Sequence, residues 1–313
     1  MSACVTGVGL AVAGLDDTAD LVTGTVSDTR PATGGKGMRH KDRASQLALL
    51  AVAPALADAG LERPPADRTA VVVSSNLGNL DTVCGFTDTI HTETVAGISP
   101  VRVPHMSSNV TACWVAIEHG LRGPNLTLCS GTPSGLDALH WARVLLAAGR
   151  ADAAVVIGVE PGTDPVAELH RDTGGHTWLD GAVALVVESD AHARARGADV
   201  RAVVGGYARA ATARDAVAAA WPGGPVGLCA AAPGAAGLPE AARTLDITAH
   251  LGRCSGALGL LQAAAALSWF ETSPHGTVLA VAGGADDGEG DDTGAAALLL
   301  TGPRARHTTE EAV

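Results

Sequence analysis

Aromatic side chains are scarce in this sequence: they make up 3% of the residues, with one tyrosine and two phenylalanines. The core must therefore consist mainly of small aliphatic side chains, which bury well when helices and strands pack closely in layers. The six cysteines include no CxxC pair, which argues against the common zinc sites and against a disulfide framework. We therefore expect reduced thiols, no metal site and no cofactor.

Positive charge and long apolar runs are also lacking. The chain has 21 lysines and arginines against 33 aspartates and glutamates, a formal net charge of −12. The basic residues are scattered, so no positive patch is predicted for nucleic acid or for an anionic membrane. No apolar run reaches the ~18 residues of a membrane span, and the N-terminal segment lacks the basic residues of a secretory leader. We expect a cytoplasmic protein with neither kind of partner.

The order of the predicted elements indicates an α/β protein. With 313 residues, 47% of them hydrophobic, the chain can bury a large core. Apolar runs alternate with helical spacing, and Asp42 stands at the N-cap position of the first predicted helix. The predicted strands are 2–13, 68–76, 125–131 and 153–160, and the predicted helices are 42–61, 108–121 and 133–149. This alternation predicts a largely parallel, buried sheet.

The second half of the chain repeats this order. Its predicted strands are 182–189, 200–208, 225–232, 243–250, 277–285 and 295–300, and its helices are 191–197, 210–221 and 255–270. Residues 125–149 and 244–267 share a strand, a turn of small residues and an Ala/Leu helix, which indicates a duplication. We predict halves at 1–165 and 166–313, the second one shortened. The acidic residues 286–294 do not have calcium-loop spacing and are interpreted as a solvated hairpin.

Residues 120–161 (GLRGPNLTLCSGTPSGLDALHWARVLLAAGRADAAVVIGVEP) resemble the nucleophile region of β-ketoacyl synthases. Gly123 and Pro124 precede the nucleophile position, and Gly135 and Ala138 follow it, which sets the register. Further matches are VTGVGL at 5–10, VVVSSNLGNLDT at 71–82 and the loop GRCSGALG at 252–259. The resemblance implies a thiolase fold: an α/β protein of two pseudo-symmetric βαβαβ halves, in αβαβα layers.

The resemblance also places the family's catalytic positions in this chain. A ketosynthase has a cysteine at the strand-to-helix elbow, where the helix N-terminus lowers the thiol pKa, and here that position is Thr132. The two histidine positions map to Ala231 and Arg253, and the lysine position maps to Thr248. Arginine cannot act as a general base, and losing such a set together costs on the order of a million-fold in rate. Catalysis by the family's usual route is therefore not expected.

This combination resembles the chain length factor, the non-catalytic subunit that pairs with an active ketosynthase in type II polyketide synthases. Many chain length factors carry glutamine at the nucleophile position, so Thr132 departs from that pattern. The implied partners are a ketosynthase subunit, a polyketide acyl chain and an acyl carrier protein that docks mainly on the ketosynthase. The acidic charge of this chain agrees with that, because an acidic carrier protein would be repelled.

The resemblance further implies a wall that closes the far end of the partner's acyl pocket, formed by the helix at 108–121 and the residues before it. In the family pattern F-V-P-x3-N-M-A-A-G-[QH], the notable differences here are Arg102, Cys113 and Trp114. We interpret them as a rebuilt pocket or interface. The full set of predicted pocket or interface residues is Arg102, His105, Met106, Thr111, Ala112, Cys113 and Trp114.

Other interpretations remain open at this point. Cys129 or Thr132 could act with His250 in a divergent acyltransferase, which requires hydrogen-bond distance between them. However, Cys129 on an apolar strand is expected to be buried core, and Thr132 is as readily a turn or N-cap residue. Arg253 is interpreted as holding its loop by pairing with a carboxylate or a backbone carbonyl. A third possibility is a non-enzymatic homodimer that binds an acyl chain or a carrier protein.

Overall fold

The computed structural model describes residues 2–24, 31, 33–34, 37–38, 40–171, 177–232, 235–284 and 294–303. The strands are β1 (Ala3–Val12), β2 (Thr69–Ser74), β3 (Asn125–Leu128), β4 (Ala153–Glu160), β5 (Gly181–Ser189), β6 (Ala202–Ala210), β7 (Val226–Ala230), β8 (Ala241–Leu245), β9 (Thr277–Gly283) and β10 (Ala295–Thr301). The helices are α1 (Thr18–Thr23), α2 (Arg43–Asp58), α3 (Leu80–Glu93), α4 (Val110–Glu118), α5 (Ser134–Ala147), α6 (Asp164–Leu169), α7 (Asp190–Ala195), α8 (Ala213–Ala220), α9 (Thr248–Leu251) and α10 (Leu258–Thr272).

The sheet confirms the duplication predicted from the sequence. Its ten strands have the order β3-β2-β4-β5-β1-β6-β10-β9-β7-β8. Outward from the centre, the first half runs β1-β5-β4-β2-β3 and the second half runs β6-β10-β9-β7-β8. If the strands of each half are numbered one to five along the chain, both halves have the order first, fifth, fourth, second, third. The halves are thus related by a pseudo-two-fold axis at the β1–β6 contact, where residues 3–5 pair antiparallel with residues 202–204. The predicted division at 165/166 stays a prediction, although this order favours a division after β5.

The sheet is mixed, so the prediction of a largely parallel sheet was wrong. Strands β2, β3 and β4 are parallel to one another, and so are β7, β8 and β9. The four pairings next to the centre, β4–β5, β5–β1, β6–β10 and β10–β9, are antiparallel, as is β1–β6. Alternating strands and helices predict parallel pairing only where a helix returns the chain to the same end of the sheet. Strands β9 and β10 are antiparallel neighbours, and residues 285–293 between them lie outside the described residues.

The layers follow from three clusters of buried side chains. One cluster packs α2 and part of α4 on the outer face of the first half. The largest cluster fills the centre and contains α5 and α10 between the two halves of the sheet. A small third cluster packs α8 on the outer face of the second half. This is the predicted αβαβα order, and among the described residues the short helix α8 forms a thin final layer on the second outer face.

Local chemistry explains where several elements begin. Asp42 caps α2 by accepting a hydrogen bond from Ser45 N at 2.7 Å, as predicted. The strand predicted at 243–250 ends instead at Leu245, because Asp246 Oδ1 accepts from Thr248 N at 2.9 Å and from Thr248 Oγ1 at 2.6 Å. These bonds favour a turn over an extended chain, and α9 follows. Helices α1, α3 and α6 were not predicted.

Two further predictions concern the acidic hairpin and membrane-spanning helices. Residues 286–293 of the predicted acidic hairpin lie outside the described residues. Among the described residues, every helix falls short of the length and apolar character that crossing a bilayer requires.

Candidate functional site

The turn between β3 and α5 carries Thr132, the residue at the predicted nucleophile position. Gly131 permits this turn because its φ of +79° lies in the left-handed region, and its N–H donates to Asn76 Oδ1 at 3.2 Å. Thr132 is 3% exposed and lies two residues before the start of α5, near the positive end of that helix dipole. The elbow geometry is therefore present, with a hydroxyl group where a thiol is needed.

The N-terminal ends of α5 and α10 meet beside this turn. A Cβ at Gly135 would lie 2.8 Å from Gly256 O, and a Cβ at Gly259 would lie 2.5 Å from Leu136 N. Only glycine permits so close an approach of the two backbones. The loop that carries Arg253 leads directly into α10, so the two halves of the chain bring Thr132 and this loop to the same region.

Arg253 takes part in a stack of side chains. It is 8% exposed, and its guanidinium lies 5.5 Å from the centre of the Trp178 ring. The His170 ring stacks on the same indole with centroids 3.8 Å apart. Backbone bonds join the two loops, since Arg253 N donates to Thr177 O and Leu179 N donates to Arg253 O, each at 2.9 Å. These contacts join the Arg253 loop to residues 177–179, and the predicted pairing of the Arg253 side chain with a carboxylate or a backbone carbonyl stays a prediction.

Burial lowers the pKa of His170, and the nearby positive charge of Arg253 lowers it further. The imidazole therefore stays neutral at neutral pH, which avoids a second positive charge in the stack. Arg253 stands at the predicted position of the second base, and Trp178 and His170 lie beside it.

The other two degenerate positions are filled by groups that cannot accept a proton. Ala231 follows β7, and its N–H donates to Leu245 O at 3.1 Å. Thr248 begins α9 and is bonded to Asp246. Between His192 and His250 the sequence contains no histidine. Neither position supplies a base for Thr132.

The structure does not bring Cys129 and His250 together. Cys129 is exposed, and the expectation that it is buried core was wrong because β3 is the outermost strand and leaves its outer side open. Its thiol lies 3.8 Å from Asn76 O, and partial enclosure, followed by the charge of Glu160, raises its pKa. His250 is exposed on α9, where its ring lies against Gly24. Within the described residues, no hydrogen bond joins His250 to Cys129 or Thr132.

A fully buried carboxyl group lies beneath this region. Glu160, the last residue of β4, accepts hydrogen bonds from the N–H groups of Asn76 at 2.8 Å, Leu77 at 3.0 Å and Gly256 at 2.9 Å. Ser75 Oγ also donates to it, at 3.3 Å. Burial raises the pKa of Glu160 to about 7, and these hydrogen bonds lower it in part. The carboxyl group connects the loop after β2 in the first half to the start of α10 in the second.

A second carboxylate connects α5 to β6. Asp137 accepts from Tyr207 Oη at 2.6 Å and from Ser130 Oγ at 2.7 Å, and it pairs with Arg209. Burial, the hydrogen bond to Asp137 and the charge of Asp137 raise the pKa of Tyr207. The His140 ring stacks on Tyr207 with centroids 4.0 Å apart. This cluster fixes the first turns of α5 behind the elbow.

Comparison with known proteins identifies the family. Residues 11–193 match the family described as "Beta-ketoacyl synthase, N-terminal domain", which is more than half of the 313 residues. The chain belongs to the β-ketoacyl synthase family. Curated relatives within this family include 3-oxoacyl-(acyl-carrier-protein) synthase 2 of Vibrio cholerae, 30% identical over 196 residues, 55% of this chain and 47% of that protein. Another is the putative polyketide beta-ketoacyl synthase 1 of Streptomyces halstedii, 30% identical over 207 residues, 55% of this chain and 48% of that protein.

The chain thus aligns with about half the length of the curated relatives, but solved structures of the family match it throughout. One, described as "the ishigamide ketosynthase/chain length factor", has a TM-score of 0.80 at 25% identity and covers 96% of this chain and 99% of its own. Another, a type II PKS acyl-carrier protein in complex with its ketosynthase bound to the hexaketide, has a TM-score of 0.77 at 15% identity and covers 96% of this chain and 99% of its own. The thiolase-type fold expected of a β-ketoacyl synthase is therefore confirmed.

The structure divides the predicted pocket or interface residues into two groups. Thr111 and Ala112 are buried inside this chain, and Thr111 Oγ1 lies 3.2 Å from Ser45 Oγ of α2. They support the α4 wall from behind. Arg102 and Met106 are exposed. His105 is buried, and Cys113 and Trp114 are half-buried. Whether the exposed members line a partner's pocket stays a prediction.

Several residues of this β-ketoacyl synthase site were missed from sequence. A glutamate that ends the otherwise apolar strand AAVVIGVE was the available signal for Glu160, because a buried charge needs partners. Trp178 and His170 gave a weaker signal, as aromatic residues in a sequence with few of them. Their proximity to Arg253 depends on contacts between distant segments, which no local pattern reports.

Proposed function

We propose that this chain is a non-catalytic, chain-length-factor-like subunit that pairs with an active ketosynthase. In that role it shapes the acyl pocket while a polyketide chain grows on an acyl carrier protein. One observation carries the proposal: the elbow of a ketosynthase is retained, but Thr132, Ala231 and Arg253 stand at the positions of its nucleophile and bases. A scaffold kept without its chemistry is best explained by a role in assembly and pocket shape.

The chemistry of the site supports this role. A threonine hydroxyl attacks a thioester only when a positioned base removes its proton. The guanidinium of Arg253 cannot do so, and it is engaged with Trp178. Cys129 is a poor substitute nucleophile because its pKa is raised, so little thiolate forms near neutral pH.

An open apolar strip supports a partner of the same fold. Edge strand β3 presents unpaired backbone groups, which favour pairing with another strand. On either side of it lie exposed apolar side chains, Ile117 of α4 at 67% and Trp141 of α5 at 45% exposure. Two edge strands related by a two-fold axis would pair and bury both strips. A ketosynthase subunit presents the corresponding edge, so it fits this surface.

The acyl carrier protein is assigned to the partner's side of the complex. This chain carries a formal net charge of −12, and like charges slow the approach of an acidic carrier protein. The solved relative that contains an acyl-carrier protein is a complex with its ketosynthase. A division of labour follows, in which the ketosynthase docks the carrier and performs the condensation.

The proposal is tested by co-expression with the ketosynthase from the same gene neighbourhood. We expect a one-to-one complex on size-exclusion chromatography with light scattering, and elongation only when both chains are present. Thr132→Ala and Cys129→Ala should leave elongation by the complex within about twofold, since neither residue reacts. The matched control replaces the partner's nucleophilic cysteine with alanine and should abolish elongation.

Two results would contradict the proposal. Elongation by this chain alone, lost in Thr132→Ala or Cys129→Ala, would establish a divergent acyltransferase. A stable homodimer without measurable affinity for the ketosynthase would instead support an acyl-binding or carrier-binding scaffold.

A further inference from the structure

A segment before α4 projects from the body of the chain. We call residues 95–106 the arm; it contains two 3₁₀ turns, Val95–Gly97 and Pro100–Met106. Val95 and Val101 are 70% and 71% exposed, and Val103 and Met106 are 50% and 45% exposed. Within the arm, all of which is described, His105 alone is buried. A regular segment that exposes its apolar side chains is suited to contact with a second protein.

His105 attaches the arm to the start of α2. Its Nδ1 lies 3.1 Å from Asp42 Oδ2, and the two side chains are 5% and 2% exposed. Asp42 is itself fixed, because its other oxygen accepts from Ser45 N at 2.7 Å. The histidine is therefore bonded to the N-cap of a long, buried helix, which gives the arm a rigid support.

The opposite side of the histidine is enclosed by Trp114 of α4. The two rings are tilted, with centroids 5.8 Å apart. Lys41, which is 8% exposed, places its ammonium 4.4 Å from the centre of the same indole. That ammonium also donates to Gly37 O at 2.6 Å. The His105 imidazole thus lies between the Asp42 carboxylate and the Trp114 indole, and Lys41 contacts that indole.

The remaining contacts between the arm and the rest of the chain are fewer and more exposed. Asn79 Nδ2 donates to Met106 O at 2.8 Å, and the Arg102 guanidinium lies 5.5 Å from the centre of the Phe86 ring. Polar and charged groups therefore attach the arm to its own chain while its apolar groups face outward. This distribution is the reverse of a segment that folds onto its own core.

We propose that His105 is a positioning residue that fixes the arm where its apolar side chains enter the partner's acyl pocket, and that it thereby helps to set the product length. This inference rests on the proposed function. The hydrogen bond to Asp42 fixes the position of the arm relative to α2. It thereby also fixes the positions of the exposed apolar side chains Val101, Val103 and Met106. His105, Asp42 and Trp114 form a latch, and the charged or titratable groups around it are Lys41, Glu118, His40 and Asp81.

The latch is tested first in the isolated chain by hydrogen–deuterium exchange of peptides from the arm. His105→Ala should speed exchange of the arm by roughly tenfold, as expected when a buried hydrogen bond to a charged group is lost. His105→Asn should stay close to wild type, because its amide N–H can replace Nδ1–H. The matched control is His91→Ala on α3, an exposed histidine, which should leave the arm unchanged. Equal exchange in the His105→Ala and wild-type chains would overturn the latch.

The specificity role is tested in the reconstituted complex by mass spectrometry of the products. His105→Ala should shift the distribution of chain lengths, and His105→Asn should restore it, while the melting temperature of the complex changes little. A loss of stability with an unchanged distribution would overturn the inference and leave the proposed function intact. If the wild-type chain forms no active complex, the proposed function fails, and the exchange experiment still decides whether the latch exists.

Discussion

At the scale of single residues, Glu160 is the most informative group in the structure. It is fully enclosed, yet it accepts bonds from three backbone N–H groups and one hydroxyl. These bonds favour the ionised form, while the loss of water around the carboxyl group disfavours it more strongly, and its pKa rises to about 7. One proton on this group therefore links pH to the contact between the two halves.

This link predicts a particular pH dependence of stability. The pKa of Glu160 is raised from 4.5 to about 7 on folding, so its contribution is fully present below the lower value and is lost as pH rises through the higher one. Between about pH 5 and pH 8 we expect this group to lower the unfolding free energy by about 2 to 3 kcal/mol. Urea titrations of the wild type and of Glu160→Gln measure it, and the variant should lack this decrease.

The matched control for that experiment is Glu62→Gln, at an exposed glutamate, which should keep the wild-type dependence on pH. If Glu160→Gln lost stability with rising pH as steeply as the wild type, the buried carboxyl group would not be its source.

The sequence predicted some residues of the site and not others, for reasons of distance along the chain. The turn between β3 and α5 that carries Thr132 was predicted from the sequence because strand, turn and helix are neighbours along the chain, while the role of Thr132 stays a prediction. The partners of Glu160 come from residues 75–77 and from Gly256, and only the folded chain brings these together. The contact between Trp178 and Arg253 was also not predicted, because the two residues are far apart in sequence.

At the scale of elements, the crossing of α5 and α10 is a tight contact that positions the site. Gly259 lies so close to Leu136 N that a Cβ would stand 2.5 Å from it. The crossing could be suspected from two similar strand-turn-helix segments, but its closeness could not. Elements were predicted best where the pattern is strong: β4 has the bounds 153–160 that its apolar run indicates. Helix α3 was missed because its sequence LDTVCGFTDTIHTE mixes threonines and a glycine with few apolar residues.

Two glycine substitutions test this crossing against a neutral position. Gly259→Ala should destabilise the chain by about 1 to 3 kcal/mol, the usual cost of overpacking, because the backbone of α5 cannot move away. Gly85→Ala in α3 should be neutral or should stabilise by up to about 1 kcal/mol, since its Cβ would meet only Arg102 Nη2 at 3.7 Å. Unfolding free energies from urea titration measure both changes. Equal effects at the two positions would show that the crossing tolerates a methyl group.

At the scale of the whole molecule, the pseudo-two-fold arrangement leaves the two halves unequal on their surfaces. The outer face of the first half is covered by α2 and α4, and that of the second half by α8. The exposed large apolar side chains of the described residues all fall between Val83 and Leu169, in the first half and the segment that follows β4. Assembly is therefore expected through the first half, by way of β3.

Trp141 is expected to dominate that assembly, because a large exposed aromatic side chain beside an edge strand is typical of an interface hot spot. Trp141→Ala should weaken binding to the ketosynthase by at least about tenfold and should leave the melting temperature of the isolated chain nearly unchanged. The matched control is Arg214→Ala, on α8 of the other half. Surface plasmon resonance measures both affinities, and equal losses would place the interface elsewhere.

The two ends of the sheet also differ in what they permit. The outermost strands are β3 and β8, and a sheet with two adhesive ends would add chain after chain into a filament. In β8, Ala242, Arg243 and Thr244 are exposed, and a small, a charged and a polar side chain discourage further pairing there. We therefore expect this chain to pair through β3 alone, which gives closed complexes whose size does not depend on protein concentration.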